Sequence, residues 1–317
     1  MGLCAPIQRV GHILLITLGV ATPSICHGGG AALVPVASAR YGGNRSEAAI
    51  GIDGSGNIHV CDRTNYIQVF DSELRPLFWW GSDMNDPQEF FQAFDVAFAP
   101  NGEILLLVDR EVRRYSSSRN LISRFGSEGT GPGQIQRPAN IAVDERGGIY
   151  VSEEDGRVQK FDANGEWIWE WRPPPPTTWY ETYTGLAVAS GSVYEVFGNQ
   201  IFQLDDTGRL IRTIDDSLRG PNSGIAVGSD GKIFVTTGNL QYVRVLSSEG
   251  ADECDWIEAT FIVEGSDLAI GPGGRLVAAF EGSVDALLFS FESAPTASTR
   301  TSWGAVKARY LHGPGHP

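Results

Sequence analysis

The chain has 317 residues, a formal net charge of −14, 42% hydrophobic residues, 39 glycines and only 2 methionines. This composition is typical of a folded protein with many turns and excludes a largely disordered chain. The excess of negative charge disfavours binding to the phosphate backbone of nucleic acids, which requires basic patches.

The N-terminal residues have the pattern of a secretory signal peptide. Arg9 precedes an apolar run at 13–21, which is much shorter than the roughly 20 residues that a membrane span needs. We therefore expect residues 1–28 to form a signal peptide, with cleavage after Ala21 or near Gly28, and an exported protein without a transmembrane span. An uncleaved anchor is the alternative.

The remainder of the chain repeats one pattern, in which an aliphatic-x-aliphatic strand is followed by a glycine turn and a second apolar strand. Six copies begin at Ile50, Val96, Ile141, Leu186, Ile225 and Leu268. Their spacings are 46, 45, 45, 39 and 43 residues, and each copy continues with a third strand, a polar turn and a fourth strand. A period of about 40–45 residues with four strands is typical of propeller blades. We predict an all-β, six-bladed β-propeller of four-stranded antiparallel blades over residues 37–304, followed by a tail at 305–317.

The third copy resembles a known repeat family. Its segment RPANIAVDERGGIYVSEEDGRVQKFDANGEWI at 137–168, preceded by FGSEGTGPGQ, is similar to an NHL repeat. The resemblance extends over about Arg40 to Gly304, is weaker in the other copies, and implies a six-bladed NHL propeller. It also implies a structural role for the third-strand arginines Arg113, Arg157 and Arg244. One fold hosts many unrelated activities, so the resemblance implies little about function.

The stretch Ala37–Gly42 has the pattern of a fourth strand although it precedes the first copy. We expect it to form the outer strand of the last blade, because closure between the two chain ends removes exposed sheet edges. Residues 299–303 have a similar pattern and compete for this position.

The cysteines indicate no covalent framework. Cys61 and Cys254 lie in the first and fifth copies, which are not neighbours in a ring of six, so we expect no disulfide between them. Lipid modification of Cys26 is an alternative to simple export, although the bulky Ile25 before it argues against this.

Aromatic residues concentrate in the fourth strands of the first and third copies. We expect Phe78, Trp79 and Trp80 to pack between blades. In the third copy, tryptophans at every second position predict one shared face of a strand. The candidate partner-binding residues are Trp167, Trp169, Trp171, Trp179, Tyr180 and Tyr183. The alternative is that these tryptophans pack between blades.

Signals of catalysis are few. His59 is the only histidine inside the repeats, and its alternating strand context indicates a structural role. Asp95, Asn140 and Asp267 each come directly before the first residue of a copy, where NHL repeats usually have glycine. Oxygen ligands suit Ca²⁺, so these three are candidate metal ligands in the central channel, although Ca²⁺ takes about 6–8 oxygens. Polar lining of the channel is the alternative.

The leading hypothesis is an exported, monomeric propeller that acts as a non-catalytic scaffold and binds a protein, peptide or glycan but no nucleic acid. The alternative is a lactonase-like hydrolase or lyase that depends on a divalent cation at the channel mouth. The acidic turns at 53–57, 144–148 and 229–232 are interpreted as tight hairpins, because they lack the later ligands of an EF-hand loop.

Overall fold

The computed structural model describes residues 33–41, 48–61, 66–81, 92–174, 184–198, 200–214, 224–237, 242–256, 262–282 and 286–293. These residues form an all-β propeller of four-stranded antiparallel blades. Within these ranges, no helix has the length and apolar character that crossing a bilayer requires.

Five blades consist of four consecutive strands each, and a further sheet combines both ends of the described chain. The N-terminal strand β1 spans Leu33–Tyr41. Blade 1 contains β2 (Ala49–Ile52), β3 (Ile58–Cys61), β4 (Ile67–Phe70) and β5 (Pro76–Trp80). Blade 2 contains β6 (Ala93–Phe98), β7 (Ile104–Val108), β8 (Glu111–Tyr115) and β9 (Leu121–Phe125). Blade 3 contains β10 (Pro138–Val143), β11 (Ile149–Glu153), β12 (Val158–Phe161) and β13 (Trp167–Trp171).

The later strands follow the same plan. Blade 4 contains β14 (Thr184–Ala189), β15 (Ser192–Phe197), β16 (Gln200–Asp205) and β17 (Leu210–Ile214). Blade 5 contains β18 (Ile225–Val227), β19 (Ile233–Thr237), β20 (Tyr242–Leu246) and β21 (Asp252–Trp256). The closing sheet contains β22 (Ile262–Ile270), β23 (Leu276–Gly282), β24 (Ala286–Ser293) and β1. A single 3₁₀ turn at Pro272–Gly274 lies between β22 and β23.

The hairpin between β10 and β11 shows how the sequence sets the turns. Asp144 Oδ1 accepts the N–H groups of Arg146 at 2.9 Å and Gly148 at 2.7 Å. Gly147 adopts a φ of +83°, which is easy for glycine and unfavourable for other residues. Asp53 makes the same arrangement in blade 1. These turns are hairpins, as the sequence predicted.

The core is divided among the contacts between sheets. Each apolar cluster joins two neighbouring sheets; for example, Ile67 and Val69 of blade 1 pack against Ile104 and Leu106 of blade 2. Equivalent clusters occupy the other contacts around the propeller. Burial of the two faces of each sheet is the main apolar stabilisation of such a fold.

The innermost strands contact one another in the order β2, β6, β10, β14, β18 and β22, and β22 contacts β2. In the closing sheet, β1 pairs antiparallel with β24, from Leu33 opposite Ser293 to Tyr41 opposite Ala286. The prediction that the stretch around 37–42 supplies the outer strand of this sheet is confirmed for its paired residues. The competing stretch at 299–303 lies outside the described residues.

A β-bulge interrupts the outer strand of each of blades 1 to 4. The bulge residue has no partner in the register of the neighbouring strand, so the side chains before it are shifted to the opposite face. The four bulge residues are Leu77, Ile122, Ile168 and Ile211. All four are exposed branched aliphatic residues.

Side chains also link neighbouring blades at the turns between third and fourth strands. In each case, a side-chain donor reaches a backbone carbonyl in the turn of the next sheet around the ring. The described pairs are Arg114 with Ala163, Trp169 with Asp206, Arg212 with Ser248 and Arg275 with Ser72.

Candidate functional site

Asp95 lies on the innermost strand of blade 2 and is buried. Its Oδ1 accepts the N–H of Val96 at 2.7 Å, and its Oδ2 accepts the N–H of Ile141 in blade 3 at 2.8 Å. The carboxylate therefore connects the first residue of its own copy with the first residue of the next copy.

Asp267 repeats this arrangement between the closing sheet and blade 1. Its Oδ1 accepts the N–H of Leu268 at 2.8 Å, and its Oδ2 accepts the N–H of Ile50 at 2.8 Å. The two aspartates thus have the same structural role at two places in the ring.

Both carboxyl groups have a pKa above the ordinary value for aspartate. Burial raises the pKa of Asp95 well above its ordinary value, and the negative charge of Asp267 raises it further. Burial also raises the pKa of Asp267 to about 7, although the N–H groups of Ile50 and Leu268 oppose this change. A carboxyl group that titrates near neutrality is able to exchange a proton under physiological conditions.

Asn140, the third candidate ligand, is bonded to side chains. Its Oδ1 accepts hydrogen bonds from the hydroxyls of Ser152 at 3.2 Å and Thr184 at 3.3 Å. Thr184 belongs to blade 4, so this contact also crosses between blades.

The three predicted metal ligands therefore occupy equivalent positions on three innermost strands, but their side-chain oxygens accept hydrogen bonds from protein N–H and O–H groups. Within the described part of the chain, no group of three or more His, Cys, Asp or Glu side chains is arranged to hold a metal ion. A cation at Asp95, Asn140 and Asp267 would compete with existing hydrogen bonds and would still lack most of the oxygens that Ca²⁺ needs.

His59 is buried in blade 1. Its Nε2 lies 3.4 Å from Asp53 Oδ2, and its ring meets the Phe98 ring edge-on with centroids 4.6 Å apart. Burial tends to raise the pKa of Asp53, but hydrogen bonds from His59, Asn57 and Ser55 outweigh this and lower it to about 2. These contacts agree with the predicted structural role of this histidine. Cys61, two residues further on, is also buried.

The tryptophans of β13 do not share one face. Trp169 and Trp171 face blade 4, where Trp169 Nε1 donates to the Asp206 carbonyl at 3.1 Å and Trp171 packs on Phe202 with ring centroids 5.1 Å apart. Trp167 lies opposite Phe161 in the register, which packs toward blade 2. The prediction of a common face is wrong, because the bulge at Ile168 breaks the period-two alternation.

Trp167 remains 39% exposed and is the most exposed of the three described members of the predicted patch, since Trp169 and Trp171 are half-buried. The other three residues of the patch lie outside the described residues, and they are Trp179, Tyr180 and Tyr183.

In blade 1 the prediction of aromatic packing between blades holds for Trp80 and is wrong for Trp79. Trp80 meets Tyr115 of blade 2 with ring centroids 5.6 Å apart. Trp79 is 67% exposed and meets only the edge of Tyr66 among the described rings. Phe78 is exposed and lies under the guanidinium of Arg119, 4.7 Å from its ring centroid.

Arg157 is the most deeply buried cation in the described structure. Its guanidinium bonds Glu153 at 3.0 Å, Glu170 at 3.0 Å and the carbonyls of Gly131 and Gln134 at 2.8 and 3.0 Å. These bonds fasten the segment that precedes β10 to blade 3. The structural role that the NHL resemblance implied for this arginine is confirmed.

One chemically distinctive residue was missed by the sequence analysis. Glu195 lies in β15 with 0% exposure, and neither of its carboxyl oxygens has a hydrogen-bond partner among the described residues. An alignment of the second strands would have revealed it, because the other copies have an aliphatic residue at this position.

No model of a known protein family matches the chain. A stretch of 62 residues is 40% identical to protein lin-41 of Caenorhabditis elegans. This stretch is 19% of the present chain and only 5% of the relative, so the similarity is local and shows nothing about the activity of this chain.

Several solved structures have a similar fold. A catalytically inactive virginiamycin B lyase from Staphylococcus aureus with quinupristin gives a TM-score of 0.58 at 14% identity, over 79% of this chain and 82% of that one. The selenomethionine-substituted lyase from the same organism gives 0.57 at 11% identity, over 82% and 99% of the two chains. A streptogramin B lyase gives 0.56 at 13% identity, over 85% and 95%. At such low identity these likenesses establish the β-propeller fold alone.

Proposed function

We propose that this chain is an exported, monomeric six-bladed propeller of the NHL type that serves as a non-catalytic binding scaffold. The observation that supports the proposal is that all four carboxyl oxygens of Asp95 and Asp267 accept hydrogen bonds from backbone N–H groups. Acidic groups fixed in this way hold the blades together rather than face a substrate. The six-bladed ring rests on the closing sheet acting as the sixth blade, and the NHL type rests on the resemblance of residues 137–168.

The outer strands offer the surface for binding. Trp79 and Leu77 are exposed on blade 1, and Trp167 and Ile168 on blade 3. Exposed aromatic residues are enriched where proteins bind other molecules. The partner in this proposal is a protein, a peptide or a glycan, and the acidic chain disfavours nucleic acids.

An activity screen on the purified mature chain tests the scaffold proposal. Lactones, esters and cyclic depsipeptides are incubated with the protein in the presence of Ca²⁺ or Mg²⁺, and the expected result is no turnover above that of heat-inactivated protein. Turnover that is lost in Asp267→Asn and retained in Asp109→Asn, an exposed aspartate, would refute the proposal.

A second candidate function is a hydrolase or lyase that depends on a divalent cation, with Asp95, Asn140 and Asp267 as ligands or acid–base groups. The observation that favours it is the pKa of Asp267, raised to about 7 by burial, together with the charge interaction between this group and the buried carboxyl group of Asp95. Two interacting carboxyl groups of this kind are suited to general acid–base chemistry.

Thermal unfolding with EDTA, and then with added Ca²⁺, Mg²⁺ or Zn²⁺, tests this second candidate. An ion that binds only the folded state stabilises it by about 2.7 kcal/mol at a hundredfold excess over its Kd. The enzyme candidate predicts an increase in Tm that Asp95→Ala and Asp267→Ala abolish. An unchanged Tm with every ion refutes the metal site.

A further inference from the structure

Glu195 occupies a position at which every other sheet has an aliphatic residue. It lies directly opposite Leu186, the first residue of the fourth copy. The residues opposite the corresponding first residues are Val60, Leu106, Val151, Val235 and Ala278. All five are buried in the apolar contacts between sheets. A carboxyl group at this position does not help the protein to fold, because burial of a polar group without a hydrogen-bond partner costs free energy.

The Glu195 side chain faces blade 3. Residues directly opposite each other in antiparallel strands share a face, and Glu195 lies between Leu186 on β14 and Phe202 on β16. Leu186 belongs to the apolar cluster between blades 3 and 4, and Phe202 packs on Trp171 of blade 3. Glu195 is therefore enclosed in the blade 3–4 interface by apolar side chains.

The charged groups on the facing side of blade 3 do not neutralise a negative charge on Glu195. Lys160 donates to the Asp206 carbonyl at 2.9 Å. Asp155 accepts a hydrogen bond from Arg172 at 2.9 Å. Burial raises the pKa of Glu195 well above its ordinary value, and the negative charge of Asp155 adds to the increase.

The remaining polar groups at this interface are also engaged. The Tyr150 hydroxyl donates to Asp144 at 2.9 Å, and burial together with that carboxylate raises the tyrosine pKa. Thr184, diagonal to Glu195 on the same face, donates to Asn140. An ionised Glu195 would therefore be an uncompensated charge in an apolar interface, which is among the most unfavourable arrangements in a folded protein.

We propose that Glu195 is a proton-binding site built into the blade 3–4 interface, and that release of this proton loosens the interface. The proton resides on one carboxyl oxygen while the interface is closed. When the proton passes to solvent, the carboxylate requires hydration, so Leu186 and Phe202 must separate from Trp171 to admit water. The inference concerns the interface between two blades and does not depend on the proposed function.

Comparison of the Tm of wild type, Glu195→Val and Glu195→Gln between pH 4 and pH 9 tests the proposal. Valine is the residue at this position in three other copies, so Glu195→Val is expected to fold. A raised pKa in the folded state gives stability below the unfolded pKa that is lost as the pH rises toward the folded pKa. The Tm advantage of Glu195→Val over wild type is therefore expected to grow with pH and to reach about 2–4 °C or more.

Two controls make the outcome decisive. Glu145→Val removes an exposed carboxylate and is expected to leave the pH profile of the wild type unchanged. Glu195→Gln keeps the size and polarity of the side chain without titration, so its profile is expected to be flatter than that of the wild type even if its Tm is lower. Parallel profiles for wild type and both Glu195 variants would overturn the proposal.

Hydrogen exchange locates the effect. Amide exchange in β14 and β15 of the wild type is expected to accelerate with pH more than amide exchange in β7 and β8 of blade 2. The strands of blade 2 serve as the reference, because exchange of every amide depends on pH even without a change in structure. In Glu195→Val this difference is expected to vanish. An increase in the wild-type Tm on addition of Ca²⁺ that Glu195→Val abolishes would also overturn the proposal, because the ligand would then be a metal ion rather than a proton.

Discussion

At the scale of single residues, Asp95 and Asp267 have the same structural role at two places in the ring. Each precedes the first residue of its copy and accepts two backbone N–H groups, one of them from the next sheet around the ring. A carboxyl group that accepts buried N–H groups on both sides of an interface satisfies donors that would otherwise be unpaired, and an unpaired buried donor costs free energy.

Replacement of Asp95 by alanine is expected to destabilise the protein by about 2–4 kcal/mol, because the N–H groups of Val96 and Ile141 lose their shared acceptor. Asp95→Asn retains one acceptor oxygen, so its cost is expected to be about half as large. Urea unfolding measures both changes. Equal stability of Asp95→Ala and wild type would show that water or other groups replace the carboxylate without loss.

The acidity of Asp267 predicts a specific pH dependence. Its pKa is about 7 in the folded protein, against an ordinary value of 3.8, so folding favours the protonated form. Stability from this group is complete below about pH 4 and decreases as the pH rises to about 7, by up to ~4 kcal/mol. Asp267→Asn is expected to reduce this slope in unfolding experiments, whereas Asp109→Asn, at an exposed position, is expected to leave it intact. An identical slope in Asp267→Asn would contradict the assignment.

At the scale of elements, the outer strand β17 combines a buried end with an exposed bulge. In β17, Ile214 is 3% exposed and packs into the cluster shared with blade 5, whereas the bulge residue Ile211 is 52% exposed. Exposed aliphatic residues at an edge strand are tolerable here because a bulge twists the strand and discourages pairing with another chain.

These two isoleucines provide a matched test. Ile214→Ala is expected to cost about 2–5 kcal/mol, because it leaves a cavity between blades 4 and 5. Ile211→Ala is expected to change the free energy of unfolding by about 0.5 kcal/mol or less, as for other surface positions. Denaturant unfolding of the two variants measures both changes. Similar losses in the free energy of unfolding would mean that the Ile211 side chain is buried in solution.

The elements also show which features the sequence could predict. The aliphatic-x-aliphatic pattern located the innermost strand of every sheet, because each of those strands packs against both neighbouring sheets and keeps its apolar residues in each copy. The bulges could not be predicted, since a bulge adds one residue without a distinct sequence signal, and this moved Trp167 to the opposite face from Trp169. The departures from glycine at Asp95 and Asp267 were recognised, but their acceptor role was not. The partner of Asp267, the Ile50 N–H, lies 217 residues away in the chain and becomes a neighbour only when the ring closes.

At the scale of the whole molecule, the two ends of the described chain meet in one sheet. The strand β1 forms an antiparallel ladder with β24 that starts at Leu33 and continues to Tyr41 with one irregularity. On the inner side of the same sheet, β22 contacts β2 of blade 1. Each chain end therefore depends on the other, and a structure of this kind is expected to unfold as one cooperative unit.

Removal of β1 tests this dependence. Deletion of residues 1–41 exposes the β24 edge along its whole length, and an unpaired edge strand is a template for association with other chains. We expect this variant to show a lower Tm and concentration-dependent oligomers in size-exclusion chromatography with light scattering. Deletion of residues 1–32 leaves β1 in place and is the matched control, for which we expect the Tm and the oligomeric state of the full chain. If the shorter chain without β1 has the same oligomeric state and Tm as the control, then pairing of the chain ends is dispensable and the propeller is closed by its inner strands alone.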